Sequence, residues 1–170
     1  MSESVALFDL DGRVVGAAPR TRVRAENLRH GASCVLVLDG QGRVFVHRRT
    51  ATKDLYPGRL DFLAGGVLQR GEDPLSSAIR ELDEELGVSG VVLTDHGWAH
   101  YADEKTDYIG FRYECRWDGP MRLDPAEVAS GEWLTVAETL RRIDDKGFRF
   151  MPDSVALMRW RLEELEAQPE

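Results

Sequence analysis

Cysteine is scarce. Only Cys34 and Cys115 occur in 170 residues, and they do not have the spacing of a zinc site. Two thiols cannot build the disulfide framework of a small secreted scaffold. Each sits in an apolar, strand-like run, which predicts buried and reduced side chains. Long hydrophobic runs are missing too: no window approaches the roughly 18 apolar residues of a membrane-crossing helix. The opening MSESVALFDL has neither the basic start nor the apolar stretch of a secretory leader. The expectation is a cytoplasmic protein without membrane attachment. Positive charge is in deficit, with 22 Lys and Arg against 30 Asp and Glu and a net charge of −8. That balance argues against a nucleic-acid polymer as partner. Repeats, low-complexity tracts and linkers are also absent. A chain of this length with 42 % hydrophobic residues therefore reads as one domain over residues 1–170.

What is present is concentrated in Gly66 to Val88, GVLQRGEDPLSSAIRELDEELGV. Gly65, Gly66 and Gly71 make a flexible approach to a helix. Asp73 is its N-cap, Pro74 takes the first helical position, and Gly87 supplies the stop. At about 100° per residue, Leu75, Ala78, Ile79, Leu82 and Leu86 share one arc, which predicts the buried face. Glu81, Glu84 and Glu85 share another edge. Like charges at these spacings repel by a few tenths of a kcal/mol per pair, so the edge is either a solvated surface or a cation site. Glycine backbone beside carboxylates offers the oxygen-only donors that Mg²⁺ or Mn²⁺ prefers.

The rest of the chain alternates strands and helices. Val5 to Pro19 reads as a hairpin around Asp11-Gly12. The polar run Thr21 to His30, with Arg20, Arg22, Arg24 and Arg29 in or beside it, reads as a connector. Ala32 to Leu38 is a buried strand, paired antiparallel with Arg43 to Arg49 through the turn Asp39 to Gly42. Thr50 to Pro57 reads as a loop. Val91 to Leu93 and Trp98 to Tyr101 are expected as short strands. Asp107 to Trp117 alternates, with Ile109, Phe111, Tyr113, Cys115 and Trp117 on one face and Tyr108, Gly110, Arg112, Glu114 and Arg116 on the other. A short strand ends at Trp133-Leu134, Thr135 to Asp145 is helical, and Pro152-Asp153-Ser154 caps a last helix. The scattered His30, His47, His96 and His100 read as packed or surface residues.

The stretch resembles the Nudix box, Gly-x5-Glu-x7-Arg-Glu-U-x-Glu-Glu-x-Gly-U with U aliphatic. Gly66, Glu72, Arg80, Glu81, Leu82, Glu84, Glu85, Gly87 and Val88 occupy every fixed position. The resemblance implies an α/β fold, a Nudix-type α/β/α sandwich with a mixed β-sheet and a loop-helix-loop catalytic motif. It also implies a Mg²⁺- or Mn²⁺-dependent hydrolase of a small-molecule diphosphate, and it is compatible with a homodimer. Glu81, Glu84 and Glu85 would hold metal with the Gly65 carbonyl. Arg80 would orient the glutamates, while Gly66, Glu72 and Gly87 shape the box. A further acid from a later loop is expected as ligand or base, with Glu127 preferred over Glu132, Asp124, Glu104 and Asp107. Glu81 and Glu127 both stand as general base.

A second stretch, from His30 through Arg48 to Asp54 and on to Pro57-Gly58, resembles isopentenyl diphosphate isomerases and the bacterial Nudix hydrolases close to them. That likeness implies phosphate contacts from Arg49 and Lys53. The isomerases carry a catalytic Cys and a metal-binding His just before the box. Leu60 to Gly66 contains neither. Hydrolysis of a nucleoside diphosphate linked to another group is the expected activity. An isomerase and a non-catalytic nucleotide-binding module stand as alternatives.

Overall fold

A computed structural model describes residues 3–168. Its centre is β3 (His30–Leu38), all nine of whose residues are buried. Along it lies β8 (Asp107–Arg116), parallel and in register from His30 against Tyr108 to Leu38 against Arg116. A strand with neighbours on both edges and helices on both faces must be apolar at every position, which is why the run Ala32 to Leu38 does not alternate. The hairpin β1 (Ser4–Phe8) and β2 (Val14–Pro19) adds to one end of β3, where Leu7 meets His30.

On the other edge, β4 (Val44–Arg49) contacts β3 only at Leu38 against Val44. The two-residue strands β5 (Leu60–Asp61) and β6 (Leu63–Ala64) explain this departure from a regular hairpin. Because β6 pairs with Val35 and Leu36, it occupies the edge that β4 would have needed. β4 instead runs along β9 (Val128–Leu134) for most of its length. β7 (Thr94–Ala102) closes the far edge against β8. The preceding segment, Val91 to Leu93, forms no strand, and the expected connector after Pro19 is a short helix, α1 (Arg20–Glu26).

Alternation along β3 divides the core. Val35 and Val37 point to α2 (Pro74–Leu86) and join Ala78, Leu82, Leu86, Tyr113 and Cys115. Cys34, Leu36 and Leu38 point the other way, toward Leu157, Met158 and Leu162 of α4 (Pro152–Ala167), with α3 (Val136–Asp144) alongside. This is the expected α/β/α sandwich with a mixed sheet.

α2 begins and ends where the sequence predicts. The Asp73 carboxylate accepts from the Ser76 amide at 3.0 Å, and Gly87 takes a left-handed φ of 69°. Its buried face follows the prediction only in part: Leu75 and Ile79 are 46 % and 48 % exposed. Ala78, Leu82 and Leu86 are buried as expected, and in the first half of the helix Ser77 and the edge carrying Glu81 turn inward in place of Leu75 and Ile79.

Candidate active site

The glutamate edge of α2 lies against the glycine turn that leaves β6. Gly65 has φ 153°, and a Cβ there would collide with the Ser33 carbonyl of β3, so only glycine lets the chain pass this close. Its amide donates to Glu85 Oε2 at 3.3 Å. A Cβ on Gly66 would in turn strike the Glu81 carboxylate. The two glycines thus admit the glutamates to the sheet.

Arg80 organises the outer half. Its guanidinium donates to both oxygens of Glu72 (2.8 and 3.0 Å), to Glu81 Oε1 at 2.7 Å and to Glu84 Oε2 at 3.2 Å. Glu72 also accepts the Gln69 amide at 3.0 Å, which ties the loop before the helix to the same arginine. Charge-assisted forks of this kind fix carboxylate orientation. Burial raises the Glu81 carboxyl above its ordinary value despite Arg80, and it pushes Glu85, which also feels Glu81, up to about 8.

Opposite the helix stand the end of β4 and the loop after it. Lys53 bonds the carboxylate of Glu127, and the Thr50 amide donates to the Glu127 carbonyl at 3.2 Å. The Glu127 loop is fastened to the end of α2, since the Asp124 amide donates to the Glu85 carbonyl at 3.0 Å. Arg49 donates one Nη to the Leu55 carbonyl at 3.0 Å, while its buried Nε has no partner among the described residues. Arg49, Lys53, Leu55, Asp124 and Glu127 border one cleft of about 330 Å³, which continues past His30, Cys34 and Asp61 to Tyr108 and Asp153.

Residues 28–154 match the NUDIX domain family. The chain belongs to the Nudix family. That places it among hydrolases of phosphoric anhydride bonds. It is similar to the uncharacterized Nudix hydrolase YfcD of Escherichia coli K12, with 41 % identity over 160 residues, 94 % of this chain and 87 % of that one. The crystal structure of DR0079 from Deinococcus radiodurans superposes with a TM-score of 0.75 at 28 % identity, covering 96 % of this chain and 98 % of that one. The NUDIX domain of Shewanella oneidensis NrtR, complexed with ADP ribose, superposes with a TM-score of 0.65 at 15 % identity, over 87 % and 99 % of the two chains. At that identity the likeness is one of fold.

Of the residues singled out from the Nudix sequence, Gly65, Gly66, Arg80, Glu81, Glu84, Glu85, Glu127, Arg49 and Lys53 all border the cleft. Glu72 stands behind Arg80, and Gly87 closes the helix. Among the rival acids only Asp124 reaches the cleft; Glu132 pairs with Arg142, and Asp107 with Arg29 and His100. The donor set suits a hard divalent cation, since it is all oxygen and Glu85 Oε1 has no protein partner among the described residues. Among the described residues no three acidic, imidazole or thiol groups close on a common point. Glu81 is turned to Arg80, Glu85 to the Gly65 amide and Glu127 to Lys53.

Several cleft residues escaped the sequence reading. Asp61 is 6 % exposed inside the apolar run Leu60 to Ala64, and a lone carboxylate in such a run was the available signal. Asp153 and Ser154 read as a helix cap. Instead Met151 is the N-cap residue of α4, with no side-chain cap, and the two side chains turn to Tyr108 and Asp61. Cys34, distant from the box in sequence, is brought beside Gly65 by the β3–β6 pairing. Burial, reinforced by Asp153 and Asp61, raises its thiol far above the usual range, so it is neutral.

Proposed function

We propose that the protein is a Mg²⁺- or Mn²⁺-dependent hydrolase that splits the diphosphate bond of a nucleoside diphosphate linked to a second group, by water attack at phosphorus. The reading rests on one juxtaposition: the carboxylate edge Glu81, Glu84 and Glu85 faces the cations Arg49 and Lys53 across a single cleft. Glu81, Glu84, Glu85 and the Gly65 carbonyl would hold the metal, with Glu127 as the further ligand. Bound there, a divalent ion neutralises diphosphate charge and makes water a stronger nucleophile.

The chain's own groups do the rest. Arg80 holds Glu81 and Glu84 at fixed angles, so little reorganisation is needed when substrate arrives. Arg49 brings an unpaired buried N–H to the cleft, and Lys53 a flexible ammonium that can move from Glu127 to a phosphate oxygen. Either Glu81 or Glu127 takes the proton of the attacking water, and the pH–rate profiles of the two Gln variants distinguish them.

The test is a panel of nucleoside diphosphates and triphosphates, nucleoside diphosphate sugars and dinucleoside polyphosphates, each with Mg²⁺ and with Mn²⁺. Metal-dependent cleavage that disappears in Glu84→Gln and Glu85→Gln supports the reading. A folded protein that binds these compounds and cleaves none would be a binding module. Conversion of isopentenyl diphosphate without phosphate release would make it an isomerase.

A further inference from the structure

The inner end of the cleft is built differently from its mouth. Asp61 lies on β5, which is hydrogen-bonded to the segment entering α4: the Leu60 amide donates to Arg149 and the Met151 amide to Leu60, both at 2.8 Å. That pairing sets Asp61 beside the first turn of α4. Its Oδ1 accepts the Ser154 hydroxyl at 2.6 Å and the Leu63 amide at 3.0 Å. Its Oδ2 has no partner among the described residues, although the residue is 6 % exposed and borders the cleft. Next to it, Asp153 accepts the Tyr108 hydroxyl at 2.7 Å and the Ser154 amide at 3.0 Å. His30 is 2 % exposed and donates Nδ1–H to the Leu28 carbonyl at 3.0 Å, which leaves Nε2 as an acceptor.

These groups share one property. The Tyr108 and Ser154 hydroxyls are spent on the two carboxylates, and the His30 proton is spent on backbone. Apart from the Cys34 thiol, a weak donor, what this end of the cleft still offers is acceptors. An acceptor left unmet once a ligand covers it costs about 1–3 kcal/mol, so the arrangement is complementary to a ligand that brings donors. An alkyl chain placed there would remove the last water from Asp61 and give nothing back. Arg49 and Lys53 line the same cleft as the glutamates, so a diphosphate held there leaves this end to the organic group.

We propose that the inner end of the cleft, formed by Asp61, Asp153 and His30, is the recognition subsite for the organic half of the substrate and selects a group carrying N–H or O–H donors over a hydrocarbon. This deepens the hydrolase reading above and relies on it for the position of the diphosphate.

Binding of uncleavable ligands tests the two separately. With Mn²⁺ present, methylenediphosphonate reports the phosphate half alone. Its adenosine ester, α,β-methylene-ADP, adds a donor-bearing group, and its pentyl ester adds a hydrocarbon. Titration calorimetry on the wild-type chain should show the adenosine ester binding at least about tenfold tighter than the bare diphosphonate, and the pentyl ester gaining less than about threefold. In Asp61→Asn and Asp153→Asn, each checked for a wild-type melting curve, most of the adenosine gain should vanish while the bare diphosphonate stays within about twofold. A 2′,3′-dideoxy adenosine ester that loses the gain assigns it to hydroxyls; one that keeps it assigns it to the amino group. Equal gains for the pentyl and adenosine esters overturn the proposal, as does a gain that survives both Asn variants. If only the bare diphosphonate fails to bind, the phosphate site is wrong and the inner subsite stands. If nothing binds, both readings fall.

Discussion

At the scale of single residues, Arg80 has the most to lose from a substitution that keeps its charge. Its guanidinium makes four hydrogen bonds to three glutamates at once. A lysine ammonium cannot span that geometry. Arg80→Lys should therefore lower kcat by about tenfold or more with little change in melting temperature, by analogy with groups that orient metal ligands; full activity in the variant would reduce Arg80 to a surface ion-pair partner. Glu85 gives a prediction of opposite sign for stability. Its carboxyl is pushed up to about 8, so its contribution to stability is present below about 4.5 and is lost as pH rises through 8. At pH 8, Glu85→Gln should raise the metal-free melting temperature by a few degrees, roughly 1–2 kcal/mol. Saturating Mn²⁺ should narrow or reverse that gap, because the cation stabilises only the chain that binds it. A variant no more stable than wild type without metal would show that Glu85 bears no burial penalty.

At the scale of elements, α2 shows what a helical wheel leaves undecided. Taking Ala78 as zero, Glu85 and Glu81 lie about 20° and 60° to one side, while Leu75 and Ile79 lie about 60° and 100° to the other. The sequence supplies two candidate inner edges, and apolar content alone favours Leu75 and Ile79. The structure buries part of each: Leu82 and Leu86, about 40° and 80° to the apolar side, are 1 % exposed, while Gly65 and Gly66 admit the carboxylates and Leu75 and Ile79 in the first half of the helix are left in solvent. Ile79→Gln should change stability by less than about 0.5 kcal/mol, whereas Leu82→Ala, at 1 % exposure, should cost about 2–5 kcal/mol in urea melts. Similar losses for the two would mean that Ile79 is packed and not in solvent. The same contrast explains how far the sequence could be read. Helix limits, strand alternation in β8 and the spacing of the glutamates are local, and local patterns are visible in a string. The inner subsite is not local: Asp61 and Ser154 are 93 positions apart and meet only because β5 pairs beside the start of α4. Two-residue strands such as β5 and β6 are too short to carry a pattern, so the diversion of β4 to β9 was equally invisible.

At the scale of the whole molecule, the two buried histidines contribute to its response to acid. Burial lowers His30 to about 4 and, with help from Arg49 and Lys53, His47 to about 3. Both are neutral in the fold. Their contribution is complete above the usual value near 6.5 and is lost as pH falls through that value toward the folded ones. Replacing His47 by Gln should therefore flatten the fall in melting temperature between pH 7.5 and 4.5, by on the order of 2 kcal/mol; parallel curves for the two proteins would exclude His47 as a cause. A different consequence follows from the position of β3. It is bonded to β8 along its whole length and to β1, β4 and β6 by turns on its other side, and it touches both ends of the cleft through Ser33 and His30. The amides of Val35 to Leu38 can meet deuterium only when the molecule opens globally, while those between Thr52 and Tyr56 can do so by local excursions of their loop. Deuterium uptake at pH 7 should thus separate two clocks, a slow one set by total stability and a fast one that binding of a diphosphate should slow on its own.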